Sequence, residues 1–213
     1  MPALTTELLL MAYANGVFPM AAPEEGNAIG WYAPDPRAIL PLDAFHCPQS
    51  LGRVVRQGRF EVVTDRDFAG VMRACASGAR QDGQTWISPE IIAAYCQLHA
   101  EGYAHSVECW QHGQLAGGLY GVSLGGAFFG ESMFTHVRDA SKVALVHLVT
   151  YLRAHGFVLL DVQLQTRHLA RFGVIEIPRR QYERRLAAAV RRPACWPPGP
   201  SQVLAAARGK FGE

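Results

Sequence analysis

Gly121-Val-Ser-Leu-Gly-Gly-Ala-Phe-Phe-Gly-Glu-Ser-Met-Phe134 is an apolar, glycine-rich run broken by one carboxylate. A second apolar run closes on Asp161-Val-Gln163. Charge inside an apolar run is costly unless it is paired, so these polar interruptions mark candidate site residues. Upstream lie strands predicted over 105–110 and 114–120, joined by the hairpin signal His112-Gly113, and a third strand covers 126–131. Downstream, Ala140, Val143, Ala144, Leu148 and Leu152 recur at helical spacing, which predicts a helix over 139–155 stopped by Gly156. An apolar strand over 157–163 returns after it. Three antiparallel strands, a long helix and a returning strand make an α+β, acyltransferase-like layout, of which the GNAT fold is one example.

Working outward, Ser88-Pro89-Glu90 is a helix start with a hydroxyl cap, and that helix runs to Gly102. Helices are expected at 8–14, 49–57 and 65–76, with a strand at 60–64. Residues 17–37 are rich in Pro and Gly yet carry the aromatics Phe18, Trp31 and Tyr32, which predicts an ordered loop. A short helix near 166–172 and an Arg-rich helix from 181 to about 190 follow. The expected domains are 1–84, a small N-terminal α/β unit; 85–192, the catalytic unit; and 193–213, a loosely ordered Pro-rich tail.

The chain has 213 residues, 49% of them hydrophobic, so a substantial core is available. Net charge is +2, but it is uneven: residues 171–213 hold nine basic side chains against three acidic ones. A basic flank suits a polyanion or a solvated helix face about equally. Five widely spaced cysteines without a Cys-x-x-Cys argue against a disulfide framework and a zinc knuckle. His105 and His112 are badly placed for a metal. No apolar run approaches ~18 residues, and no signal segment is recognisable, so a cytoplasmic protein without a membrane span is expected.

Asp161 and Gln163 stand at i and i+2 and should share a strand face, with Val162 and Leu164 turned toward the core. The carboxylate would accept the Gln163 amide NH2, leaving the amide oxygen to hold an incoming amine. The bland alternative is a pair of turn-capping polar side chains. Glu131 suits a cation or ammonium group, or else is a solvated edge residue. Leu119, Phe128, Met133, Leu148, Leu152 and Leu160 are core by default but can equally line an apolar pocket. Trp31, Tyr32 and Trp86 can stack on a base or anchor an interface. No Gly-x-Ser-x-Gly, P-loop or dinucleotide turn occurs. The loop that coenzyme-A acetyltransferases use for pyrophosphate is also missing before the long helix, which counts against a coenzyme-A-dependent N-acetyltransferase.

An ordered set of segments then becomes decisive: Met11-Ala-Tyr-Ala-Asn-Gly-Val-Phe-Pro-Met20, Trp31-Tyr-Ala-Pro-Asp-Pro-Arg37, Thr85-Trp-Ile87, His105-Ser-Val-Glu108, Gly117-Gly-Leu-Tyr-Gly-Val122, Gly130-Glu-Ser-Met-Phe134, Ala140-Ser-Lys142, Leu160-Asp-Val-Gln163 and Ile177-Pro-Arg-Arg180. Together they resemble the bacterial leucyl/phenylalanyl-tRNA–protein transferases. The resemblance implies a two-domain protein with a GNAT-like C-terminal domain. It would move Leu or Phe, sometimes Met, from aminoacyl-tRNA to acceptor proteins with N-terminal Arg or Lys, creating a degradation signal. No cofactor and no metal are implied. Asp161 and Gln163 fall on the family's catalytic acid and amide, Glu131 on a polar residue beside the ester, and Trp86 on an aromatic that stacks on the terminal adenine. Met20 stands where other members carry a second clamping Trp. The six apolar residues named above would line the side-chain pocket. Arg53, Arg56 and Arg59, with Arg179, Arg180 and Arg184, are expected to meet tRNA phosphates, and Glu131 to favour the acceptor's basic side chain. A monomer is expected. The remaining alternative is a non-catalytic tRNA-binding module.

Overall fold

A computed structural model describes residues 4–77, 85–194, 196 and 204. Among these, helices α1 (Thr6–Ala14), α2 (Gln49–Arg56), α3 (Phe68–Ser77), α4 (Pro89–Ala100), α5 (Ala140–Ala154), α6 (Arg167–Ala170) and α7 (Arg179–Ala189) surround two sheets. Strands β1 (Phe18–Ala22) and β2 (Ala28–Tyr32) form an antiparallel hairpin. The larger sheet holds β3 (Arg37–Ile39), β4 (Glu61–Thr64), β5 (Ala104–Gln111), β6 (Gln114–Leu124), β7 (Ala127–Thr135), β8 (Leu159–Gln163) and β9 (Ile175–Ile177), in the order β4-β5-β6-β7-β8-β3-β9. The fold is therefore mixed α+β.

The hairpin, the long helix and the returning strand form as expected. The segment 17–37, expected as a loop, is instead the β1–β2 hairpin plus the start of β3. Strand β3 pairs with β8 and β9, so an N-terminal segment lies inside the same sheet as the C-terminal strands. Helix α3 starts at Phe68 rather than Asp65. Asp65 takes a left-handed conformation, φ +56°, and Asp67 Oδ1 accepts the Gly70 backbone N–H at 2.9 Å, capping the helix there. Of the tail expected to be loose, most residues lie outside those described. Trp196 stacks on His105 with ring centroids 4.5 Å apart, and the Leu204 N–H donates to the Val62 carbonyl.

Alternation along the strands divides the core between two sheet faces. Leu119, Phe128 and Leu160 face α2 and α5, whereas Tyr120, Phe129 and Leu159 face α1, α3, α4 and α7. Helix α5 reaches the sheet closely because Gly117 has no side chain: a Cβ there would sit 2.6 Å from that of Ala140. The helix is the crossover between β7 and β8, the parallel pair of the sheet.

Candidate functional site

The β7–β8 ladder pairs Ala127 with Leu159, Phe128 with Leu160 and Phe129 with Asp161, and ends there, although both strands continue. On its other side β7 carries a bulge. Tyr120 of β6 faces Ser132 and the next residue, Gly121, faces Gly130, so Glu131 is left as the extra residue. A bulge re-aims its side chain. These two local irregularities open a cavity of about 250 Å³ between the strand ends, α5 and α6. Its buried part is apolar: Leu119, Leu145, Leu148 and Leu160, with the half-buried Met133. Phe18, Met20, Trp86 and the exposed Leu164 complete the wall. Trp86 is tied to the hairpin through its carbonyl, which accepts the Ala21 N–H at 3.1 Å.

Glu131 and Gln163 stand among the polar residues of the lining, with Tyr120, Ser132 and Thr166, and the Gln163 side-chain amide donates to Glu131 Oε1 at 3.2 Å. Gln163 sits at φ +58°, a strained value for a residue with a side chain. The backbone turns out of the extended form there. The i, i+2 expectation fails for that reason, and Asp161 and Gln163 do not face each other. Asp161 is fully buried and accepts from the Gln163 backbone N–H at 2.9 Å instead of from its amide. Its other partners are Arg37, through Nε to Oδ1 at 3.0 Å and Nη2 to Oδ2 at 2.8 Å, and the Tyr182 hydroxyl at 2.6 Å. The guanidinium also donates to the Gly16 carbonyl and lies 5.0 Å and 4.7 Å from the Phe18 and Tyr182 ring centres. A pair this enclosed fixes geometry.

Glu131 has a different setting. Burial first, and then the neighbouring Asp161 charge, push its carboxyl up to about 8, while the Tyr13 hydroxyl, Arg37 and the Tyr95 hydroxyl oppose the rise. Tyr13 and Tyr95, both fully buried, hydrogen-bond one another through their hydroxyls. Burial and the Glu131 charge hold the phenols of Tyr13, Tyr95 and Tyr120 well above their usual range. The Tyr120 hydroxyl is buried and has no hydrogen-bond partner among the described residues.

Leu119, Met133, Leu148 and Leu160 line the cavity as expected of pocket residues, but Phe128 and Leu152 do not. Phe128 faces Trp196, ring centroids 5.6 Å apart, and Leu152 is buried within the α5 core. Val162 and Leu164, expected in the core, line the cavity. Leu145, one helical turn before Leu148, was legible from the i, i+3 spacing; Phe18, Tyr120 and Leu169 carried no such signal.

The basic residues separate. Arg59 joins Arg138, Lys142 and Arg171 around a groove of about 470 Å³ beside the cavity, and α6 lies between the two, giving Thr166 and Leu169 to one and His168 to the other. Arg53 and Arg56 are exposed on α2 near it. Arg179, Arg180 and Arg184 are exposed on α7, on the opposite face of the sheet, and Arg179 is paired with Glu183 at 2.8 Å. Away from the cavity, Asp65, His99 and His105 form a cluster of metal-ligand type. His105 spends both ring nitrogens on Asp65 and the Gly102 carbonyl, and His99 Nδ1 faces the Ala104 carbonyl, so the cluster does structural work.

This chain resembles known proteins over most of its length. The family model described as leucyl/phenylalanyl-tRNA protein transferase matches residues 39–187, and the model of that transferase's N-terminal domain matches residues 3–35. The leucyl/phenylalanyl-tRNA–protein transferase of Salinibacter ruber is 60% identical over 195 residues, covering 91% of this chain and 84% of the relative. That of Gloeobacter violaceus is 56% identical over 190 residues, covering 89% and 96%. Among solved structures, L-PGS from Bacillus licheniformis aligns with a TM-score of 0.40 at 12% identity, over 78% of this chain and 55% of that one.

Proposed function

Since the chain belongs to the leucyl/phenylalanyl-tRNA–protein transferase family, we propose that the cavity at the β7–β8 divide is where Leu or Phe, and also Met, passes from aminoacyl-tRNA to the N-terminal Arg or Lys of an acceptor protein. The chain is an aminoacyltransferase. The product would serve as a degradation signal in the cytoplasm, and the protein would act as a monomer on a GNAT-like catalytic framework. Among the described residues no helix is long and apolar enough to cross a membrane.

One observation carries the reading: a largely apolar cavity of about 250 Å³ in which Gln163 and Glu131 meet at 3.2 Å. The apolar part suits the side chain of Leu, Phe or Met. With the Gln163 NH2 spent on Glu131, its amide oxygen is left to accept a hydrogen from the attacking amine. Glu131 thus fills the role of amide holder that Asp161 was expected to play. Asp161 supports Gln163 from behind through the backbone, and Arg37 and Tyr182 hold Asp161.

The chemistry asks little acid–base strength of these groups. An α-amine titrates near ~7.7–8.0, so much of it is neutral at working pH. Its lone pair forms the new N–C bond at the ester carbonyl. The C–O bond to the tRNA ribose breaks, and the proton lost by nitrogen ends on the departing oxygen. Holding amine and ester in register supplies most of the acceleration. Trp86 and Met20 would flank the terminal adenine at the rim. Phosphates would run across Arg53, Arg56 and Arg59 and the adjoining groove, with Arg179, Arg180 and Arg184 as a second basic surface.

The test is transfer of radiolabelled Leu from Leu-tRNA to a peptide beginning with Arg and to one beginning with Gly, by wild type and Gln163→Ala. Transfer to the Arg peptide alone, strongly reduced in the variant, supports the reading. Tight tRNA binding without transfer would make the protein a binding module.

A further inference from the structure

We propose that Glu131 binds the α-ammonium group of the donor aminoacyl ester itself, with the Tyr120 hydroxyl as a second acceptor, so that the cavity reads the donor's free amine as well as its side chain. This rests on the transferase reading above and assigns Glu131 to the donor rather than to the acceptor's Arg or Lys.

The stereochemistry of the donor requires such a site. One Cα carries the side chain, the ammonium group and the reacting carbonyl. When the side chain fills the apolar part and the carbonyl faces Gln163, the ammonium group lies against the remaining wall. Glu131 is the one carboxylate among the residues lining the cavity. Among the described residues no cation stands within ion-pair distance of it, since Arg37 is committed to Asp161. The groups that act on it are Tyr13 from α1, Tyr95 from α4, Tyr120 from β6, Gln163 and the like charge of Asp161 from β8, and, through its charge without direct contact, Arg37 from β3. A half-buried carboxylate without an ion-pair partner, next to a buried hydroxyl without a hydrogen-bond partner among the described residues, is completed by a small cation with several N–H donors. The bulge that expels Glu131 from the β6 pairing register is what aims it there. A long acceptor side chain would have to displace the donor to reach the same carboxylate.

The experiment compares Leu-tRNA with its deaminated form, in which a hydroxyl replaces the α-ammonium on the same side chain and ester, using an acceptor peptide beginning with Arg. For wild type, kcat/KM for the hydroxy donor should be about 10- to 100-fold lower, the usual effect of losing hydrogen bonds to a charged group. In Glu131→Gln the two donors should become nearly equal, through loss on Leu-tRNA alone. Tyr120→Phe should narrow the difference in part. Equal use of both donors by wild type overturns the inference while leaving the transferase reading intact. So does an undiminished preference for Leu-tRNA in Glu131→Gln. Failure of wild type to transfer Leu at all removes the transferase reading and this inference with it.

Discussion

The Arg37 guanidinium and the Asp161 carboxylate, 124 residues apart in sequence, meet in a two-pronged and almost wholly buried ion pair, 1% and 0% exposed. The pair anchors β3 to β8 directly behind the cavity. Loss of one partner strands a buried charge. Asp161→Ala should therefore destabilise the fold by about 3–5 kcal/mol, and the double change Arg37→Met with Asp161→Leu should recover much of that. Denaturant unfolding followed by circular dichroism measures both. If Asp161→Ala unfolds like wild type, the pair does not hold the site together.

Gln163 should behave in the opposite way. Its amide faces the cavity, so Gln163→Ala is expected to lower kcat by about 10- to 100-fold with little change in stability. Its φ of +58° adds a second expectation. Gln163→Gly should be more stable than Gln163→Ala by about 1 kcal/mol, because glycine takes the left-handed conformation without a Cβ clash. Steady-state kinetics beside urea titrations separate the two effects.

Glu131 makes stability depend on pH. Its carboxyl is raised from the ordinary carboxylate range to about 8, so the folded chain holds this proton more tightly than the unfolded chain does. Its contribution is fully present below the unfolded value near 4.5 and is lost as pH rises toward 8. Glu131→Gln should thus gain stability relative to wild type across that window, by an amount on the order of a few kcal/mol at pH 9, and differ little at pH 4. Thermal melts of both proteins at the two pH values provide the check.

The groove bounded by Arg59, Arg138, Lys142 and Arg171 should set the salt dependence of donor binding. Each phosphate contact removed lowers the slope of log K against log salt by about 0.7–0.9. Alanine at Arg59 or Arg171 should therefore weaken binding at low salt and flatten the slope. Filter-binding across salt concentrations, run beside an Arg180→Ala with Arg184→Ala control, shows whether the α7 surface contributes as well.

Leu148 belongs to the buried part of the cavity, and Leu148→Phe would fill space there. Transfer of Phe should fall more than transfer of Leu, moving the Leu to Phe ratio of kcat/KM by about 10-fold or more, the size expected for a methylene-scale change in an apolar pocket. Competition between differently labelled Leu-tRNA and Phe-tRNA reads this ratio directly.

The predicted elements of the sheet and of α5 stand because their signals are local. The His112-Gly113 turn, the apolar spacing along α5 and the Ser88-Pro89 cap each lie within a few residues of what they specify. Segment 17–37 differs from its expected loop because its prolines and glycines mimic one, while β1 and β2 pair with each other across a short turn; only its last residue, Arg37, begins β3, whose partners β8 and β9 lie far along the chain. Leu119, Leu148 and Leu160 were recognisable as apolar, but only the end of the β7–β8 ladder made them a pocket wall while Phe128 remained core.

What the sequence determined by itself is the α+β order, the family, and the presence of Glu131, Asp161 and Gln163 as polar interruptions in apolar strands. What the tertiary structure decided is which of them meet. Side-chain facing follows from residue number only while a strand stays extended and fully paired. The bulge at Glu131 and the left-handed backbone at Gln163 break that rule in adjacent strands, turning the Gln163 amide from Asp161 to Glu131. The partners that then fix each carboxylate, Arg37 and Tyr182 for Asp161 and the Tyr13–Tyr95 pair behind Glu131, come from distant segments that no local pattern connects.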